Sequence, residues 1–187
     1  MLSEPGPSEP EVALAVAAAL RAPDHGRLRP WRFLGVSGEA RRALGAAMAA
    51  ALARLDPQAG TERLAREAAK PLRAPFVLVA AAAIVPGHRI PEWEQRASAA
   101  AGVMNVLNAF HFIGYGAVWL SSPAFADVGL LRALGLAEAD QLLGTLHVGT
   151  QHEALPPAPR PEAGSFWRVW GGPIPGQAEP TATGAAP

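Results

Sequence analysis

The sequence predicts a mixed α/β domain in which three or four helices surround a small central sheet. The chain has 187 residues, of which 50% are hydrophobic, and this is enough for one domain with a substantial core. Apolar runs of strand length alternate with longer segments whose apolar residues recur at helical spacing. Proline and glycine, 19 of each, separate these segments as turn residues do.

The composition excludes several classes of function. Lys plus Arg and Asp plus Glu number 16 each, so the chain lacks the basic surface that general nucleic-acid binding needs. It has no cysteine, so a redox function would need a bound cofactor rather than thiols. No two histidines have the spacing of a metal-ligand motif, and no metal site is expected. The first ten residues do not resemble a signal peptide, which predicts a cytoplasmic location.

The first predicted helix and strand enclose a loop with the composition of a ligand-binding segment. The capping box Ser8-Glu9-Pro10-Glu11 begins a helix that continues to about Arg21. A strand is predicted at Trp31–Val36. The Pro- and Gly-rich loop between them, counted from Arg21, carries the three cations Arg21, Arg27 and Arg29 together with His25. Such a loop can present Arg and His side chains and backbone N–H groups to an anionic planar ligand. Arg21 either contacts such a ligand or caps the C-terminus of the first helix, where a cation is favoured, and His25 is either a ligand contact or a solvated loop histidine.

The next elements follow from apolar spacing. Helical periodicity predicts helices over residues 37–55 and 61–70. The run Phe76–Val85 is continuously apolar between two prolines, as expected for a strand covered on both faces.

Residues 97–120 contain no formal charge over 24 positions, which is long enough to span a bilayer. The segment also contains asparagines, His111 and the break Gly114-Tyr115-Gly116, so we predict a buried helix that opens near Pro91 and is followed by a strand. No membrane span is expected. His111 and His147 are both interpreted as core histidines.

The remaining predicted elements are a strand at residues 117–120, a helix at 127–134 and a strand at 142–148. Residues 1–175 are predicted to form a single domain and residues 176–187 a disordered tail. Strand 117–120 ends in Trp119-Leu120-Ser121-Ser122-Pro123. This turn is either a strand end with a helix-capping serine or part of a binding site.

Four motifs, taken in order, resemble the nitroreductase-like family. They are R-A-P-D-H-x4-P-W-x-F at 21–33, P-x-W-E-Q at 91–95, G-x-G-x-x-W at 114–119 and L-G-T-L-H-V-G-T at 143–150. The resemblance spans about residues 2–172. It implies the α+β nitroreductase-like fold, with a central, mostly antiparallel sheet flanked by helices, and a homodimer with FMN in clefts at the dimer interface.

The resemblance also implies the chemistry and the site. Residues matching Arg21 and His25 lie along the flavin, and residues matching Trp119 and Ser121 lie at the turn beside it. Electrons pass from NAD(P)H through FMN to a small-molecule acceptor, nitroaromatic or quinone-like, so no side chain need act as acid, base or nucleophile. The alternatives are a non-catalytic dimeric interaction module that has lost tight FMN binding, and FMN chemistry such as dehalogenation or flavin breakdown.

Three departures from the family pattern concern the grip on FMN. Relatives carry an R-R-S element that holds the phosphate, and this chain begins just after the matching point. Leu120 stands where Arg is expected, and Arg29 where Gln is common. Because each charge-assisted hydrogen bond contributes about 1.5–3 kcal/mol, weakened FMN binding is one expectation. Arg29 near the flavin pyrimidine would stabilise an anionic reduced ring.

Overall fold

The computed structural model describes residues 2–153 and 159–172, and these form two compact units. The first unit is an α+β domain. In chain order its elements are β1 (Leu2–Ser3), α1 (Glu9–Ala19), β2 (Trp31–Ser37), α2 (Ala40–Leu55), α3 (Thr61–Ala69), β3 (Phe76–Ala82), α4 (Glu92–Phe112), β4 (Gly116–Leu120), α5 (Val128–Ala133) and β5 (Gln141–Gln151).

The central sheet is antiparallel throughout. β3 lies between β2 and β5, and both β4 and β1 pair with β5. All seven residues of β3 are buried, which confirms the predicted strand covered on both faces. This strand ends at Ala82 rather than Val85, because its partner β2 begins at Trp31, opposite Ala82.

Two helical layers cover the two faces of the sheet. Alternate residues of β3 point to opposite faces, so Leu78 packs in the cluster with α1 and α4 while Val79 packs in the cluster with α2 and α5. The predicted fold class, a mostly antiparallel sheet flanked by helices, is therefore confirmed. The second cluster is buried around Leu44, Met48, Ala51, Leu52, Val77, Val79, Ala124 and Leu130.

Three local features differ from the sequence-based expectation. The prediction of His111 as a core residue was wrong: it lies exposed in the last turn of α4, beside the buried Phe110. β1 was not predicted, since two residues are too few for a periodic pattern. It pairs with Thr150 and Gln151 and so extends β5 beyond the predicted end.

The second unit consists, where it is described, of residues 159–172. It contains one short turn, Ala163–Ser165, followed by exposed aromatic residues at Phe166, Trp167 and Trp170. The predicted domain end at residue 175 and the predicted tail at 176–187 lie outside the described residues. Among the helices that are described, none combines the length and apolar character needed to cross a membrane.

Candidate functional site

The loop between α1 and β2 is held in an unusual backbone conformation. Gly26, Arg27 and Arg29 have positive φ values of 74°, 56° and 53°, and the two arginines would each be strained there in a free chain. The Asp24 carboxylate accepts hydrogen bonds from the backbone N–H groups of Leu28 (3.0 Å) and Arg29 (2.8 Å). This local cap offsets the strain and fixes the path of the loop.

His25 links this loop to the start of α4. Its Nδ1 lies 2.8 Å from Oε2 of Glu94, and the His25 side chain is 68% exposed. When Nδ1 donates its proton to this carboxylate, Nε2 of the neutral ring becomes the acceptor. Glu94 belongs to the P-x-W-E-Q motif, so two of the sequence motifs meet in space at this contact.

Arg21 follows the last turn of α1 and is exposed. Its backbone N–H donates to the Ala18 carbonyl at 3.1 Å, and within the described residues its guanidinium forms no ion pair with a carboxylate. Arg21 and His25 therefore occupy one solvent-facing loop, where both side chains can meet an anionic ligand.

The turn after β4 is anchored on both sides. The indole Nε1 of Trp119 donates to the Leu143 carbonyl at 3.0 Å. Leu143 is the extra residue of a bulge, because Ala80 pairs with Gly144 and Ala81 pairs with Leu142, which turns its carbonyl away from the ladder. On the other side of the turn Ser122 is buried, while Ser121 between them is exposed.

Gly144 makes room for the Trp119 indole. A Cβ on Gly144 would lie 2.1 Å from Nε1 of Trp119, far inside van der Waals contact. A glycine within a strand often marks such a close approach, and this was the one sequence signal that could have identified the packing partner of Trp119.

The two pairs of candidate residues lie toward the same end of the sheet on different strands. β2 begins at Trp31, opposite Ala82 of β3. β4 ends at Leu120, opposite Thr145 of β5, which is level with Leu34, three residues along β2 from Trp31. β3 and β5 separate β2 from β4, and three strand spacings amount to roughly 14 Å. The structure thus places Arg21 and His25 on one loop and Trp119 and Ser121 at the turn after β4, with a gap between the loop and the turn.

A groove of about 570 Å³ runs between α1 and β2, within the size range of small-molecule sites, about 300–1,000 Å³. Both apolar side chains and cations line it. The Arg29 predicted from the sequence lines this groove, whereas Arg21 and His25 do not. The lining includes Val12, Val16, Trp31, Phe33, Arg27 and Arg29.

The side chains of Arg21, His25 and Ser121 have a chemistry that suits a flavin cofactor. A guanidinium and an imidazole can hold anionic or carbonyl oxygens, and the exposed Ser121 hydroxyl can donate or accept. Because the two pairs of residues lie apart, neither pair alone encloses a planar ring. No group of three metal-ligating side chains occurs within residues 2–153 and 159–172.

Comparison with known proteins gives one consistent result. The Escherichia coli (strain K12) protein named "Putative NAD(P)H nitroreductase YdjA" is 33% identical over 152 residues, which cover 80% of this chain and 80% of the relative. The Bacillus cereus structure of a nitroreductase-like family protein superposes with a TM-score of 0.77 at 20% identity, covering 92% of this chain and 90% of the other. The FMN- and NADPH-dependent nitroreductase NfnB from Sphigopyxis sp. strain HMH superposes with a TM-score of 0.70 at 19% identity, covering 91% and 93%.

The match to the family itself is broad. The description "Nitroreductase family" applies to a model that matches residues 2–150, which contain all four motifs, both pairs of candidate residues and the whole sheet except Gln151, the last residue of β5. These findings and the fold agree with the resemblance carried by the motifs. The chain belongs to the nitroreductase family.

Proposed function

We propose that this protein is an FMN-dependent oxidoreductase that passes electrons from NAD(P)H to nitroaromatic or quinone-like acceptors. The observation that carries the proposal is the placement of Arg21 and His25 on one exposed loop, toward the sheet end to which the turn with Trp119 and Ser121 also points. FMN supplies the hydride chemistry when bound. The name of the Escherichia coli relative, which includes "NAD(P)H nitroreductase", supports NAD(P)H as the electron donor.

The roles of the four residues follow from their chemistry. Arg21 neutralises anionic oxygen on the cofactor, and the His25 ring, held by Glu94, keeps a fixed orientation against it. Trp119, fixed by its hydrogen bond to Leu143, excludes water from one side, and Ser121 offers a hydroxyl to a ring heteroatom. None of these groups needs to gain or lose a proton.

We propose further that the protein is a homodimer, in which the second subunit would help to enclose the cofactor ring. Large apolar side chains are exposed on the layer formed by α1 and α4: Leu14, Leu20, Met104 and Phe112 at 56%, 54%, 49% and 85%. Exposed apolar surface of this kind marks interfaces. The aromatic residues Phe166, Trp167 and Trp170 would wrap the partner subunit. We also propose a cytoplasmic location, which cell fractionation would test.

The first experiment is the visible absorbance of the purified protein with added FMN, before and after gel filtration. A retained, stoichiometric flavin spectrum that NADH or NADPH bleaches supports the oxidoreductase. A colourless protein that does not retain FMN would instead favour a non-catalytic interaction module.

The same assay locates the site. Arg21→Ala should weaken FMN binding by roughly 10- to 100-fold, since a hydrogen bond to a charged group contributes about 1.5–3 kcal/mol. Arg42→Ala is the matched control, because Arg42 is an exposed arginine of α2 paired only with its helix neighbour Glu39 within the described residues. Equal FMN affinity in Arg21→Ala and Arg42→Ala would remove Arg21 from the site.

A further inference from the structure

A buried carboxylate lies behind the turn that carries Ser121. Glu67, on α3, is 4% exposed. One of its oxygens accepts a hydrogen bond from the Ser122 hydroxyl at 2.5 Å, and the other lies 2.5 Å from Nζ of Lys70. Lys70 is the only lysine among 16 cations of the chain. A buried carboxylate is costly unless it is paired and hydrogen-bonded, and both conditions are met here.

The Ser122 hydroxyl is held from two directions. It donates to Glu67 and accepts from the backbone N–H of Ala124 at 3.1 Å, which caps the short helical turn Pro123–Ala126. With both partners in place the Ser122 side chain has a single orientation. The bond also joins two elements that are 55 residues apart in sequence.

The two anchors of the turn lie on either side of Ser121. Trp119 is fixed by the Leu143 carbonyl and Ser122 by Glu67, while Ser121 is exposed. A short turn fixed at both ends holds the residue between them in a narrow range of positions, and precise placement of a contact group depends on such supporting bonds.

We propose that Glu67, held in place by Lys70, is a positioning residue that sets the Ser121 turn for contact with the flavin. The inference rests on the proposed function, because it assigns the turn to FMN. Glu67 itself does not touch the cofactor. Its contribution passes through Ser122, so it should change how tightly FMN is held rather than which reaction occurs.

The test compares FMN dissociation constants, measured by quenching of flavin fluorescence, for the wild type and four variants. Glu67→Ala removes the anchor and should weaken FMN binding by about tenfold, the factor that corresponds to 1.4 kcal/mol. Glu67→Gln keeps an oxygen that can accept from Ser122 but turns an amide NH2 group toward Nζ of Lys70, so it should restore part of the affinity. Ser122→Ala removes the same bond from its other end, and serves if Glu67→Ala does not fold.

Asp127→Ala is the matched control. Asp127 is another buried carboxylate, 8% exposed, and it pairs with Arg54 and caps α5, so its loss also lowers stability. It should leave FMN affinity unchanged if the effect at Glu67 is one of positioning.

The outcomes separate the two proposals. Wild-type protein that binds FMN, together with unchanged affinity in Glu67→Ala and Ser122→Ala, would overturn the positioning role alone. Equal weakening in Asp127→Ala would also overturn it, because general destabilisation would then account for the loss. Wild-type protein that binds no FMN would overturn the proposed function and this inference with it.

Discussion

At the scale of single residues, His147 couples the stability of the fold to pH. It lies on β5 with 2% of its surface exposed, its Nε2 is 3.3 Å from the Thr145 hydroxyl, and Nδ1 has no partner among the described residues. Burial, followed by the charges of Arg73 and Lys70, lowers the pKa of His147 from 6.5 to about 4. Protonation is therefore favoured in the unfolded chain.

The sign of the effect follows from this pKa. Below pH 6.5 His147 becomes protonated in the unfolded chain, whereas in the folded protein it stays neutral until the pH reaches about 4. The contribution of His147 to the free energy of unfolding is therefore constant above pH 6.5, and it falls by about 3 kcal/mol as the pH drops to 4. In His147→Gln this part of the decline should disappear, as measured by urea unfolding at several pH values.

The exposed His152 provides the comparison. His152→Gln should keep the wild-type dependence of unfolding free energy on pH. If His147→Gln and wild type lose stability in parallel between pH 6.5 and 4, the buried histidine is not the source of the dependence.

Single residues also show which parts of the core and of the candidate site can be predicted from the sequence and which cannot. His147 was predicted as a core histidine, and the structure confirms it. Arg21 and His25 could be selected because one loop places them together in the chain. Glu67 could not, since its partner Ser122 is 55 positions away and no local pattern joins a residue of α3 to the turn after β4. The burial of the Glu67 carboxylate results from the packing of α3 against the rest of the domain, which the local sequence does not specify.

At the scale of elements, the approach of α2 to α3 depends on one glycine. A Cβ on Gly45 would lie 2.1 Å from the Ala68 carbonyl oxygen, a backbone atom that cannot move aside, whereas a Cβ on Gly102 in α4 would lie 3.4 Å from its nearest neighbour. Gly45→Ala should destabilise the protein by about 1–3 kcal/mol through overpacking. Gly102→Ala should gain up to about 1 kcal/mol of helix propensity.

Thermal unfolding followed by circular dichroism distinguishes these two variants. The melting temperature should fall for Gly45→Ala and stay the same or rise for Gly102→Ala. A rise in both would mean that α2 and α3 are not in the close contact described.

Most elements could be predicted because their signals are local. The capping box at Ser8 and the apolar run from Phe76 identify α1 and β3 without reference to the rest of the chain. The limits of the strands depend instead on their partners: β3 ends where β2 begins, and β5 extends to Gln151 because β1 pairs there. The bulge at Leu143 has the same origin, since it exists only in the ladder with β3.

At the scale of the whole molecule, the exposed layer of α1 and α4 should carry the dimer. Phe112, 85% exposed at the end of α4, would lie in apolar surroundings in the dimer, so Phe112→Glu should shift the protein toward monomer in analytical ultracentrifugation. Leu55, 47% exposed at the end of α2, belongs to the opposite layer, and Leu55→Glu should leave the assembly unchanged.

A chain shortened to end at residue 155 tests whether the C-terminal aromatic segment contributes to the dimer. The shortened chain should be less stable and less dimeric if the segment containing Phe166, Trp167 and Trp170 wraps the partner subunit. A shortened chain that dimerises with wild-type affinity would show that the two helices alone hold the subunits together. Dimerisation of Phe112→Glu at wild-type affinity would move the interface elsewhere.

The contact of Trp119 with Gly144 constrains how this sequence can evolve. A Cβ at position 144 would lie 2.1 Å from Nε1 of the indole and 2.7 Å from the backbone carbonyl oxygen of Leu120. Exchanging Trp119 for a smaller residue would remove the first collision but not the second, because the second is with the main chain. Relatives should therefore keep glycine at position 144 even where position 119 is not tryptophan, and position 119 should vary more freely than position 144.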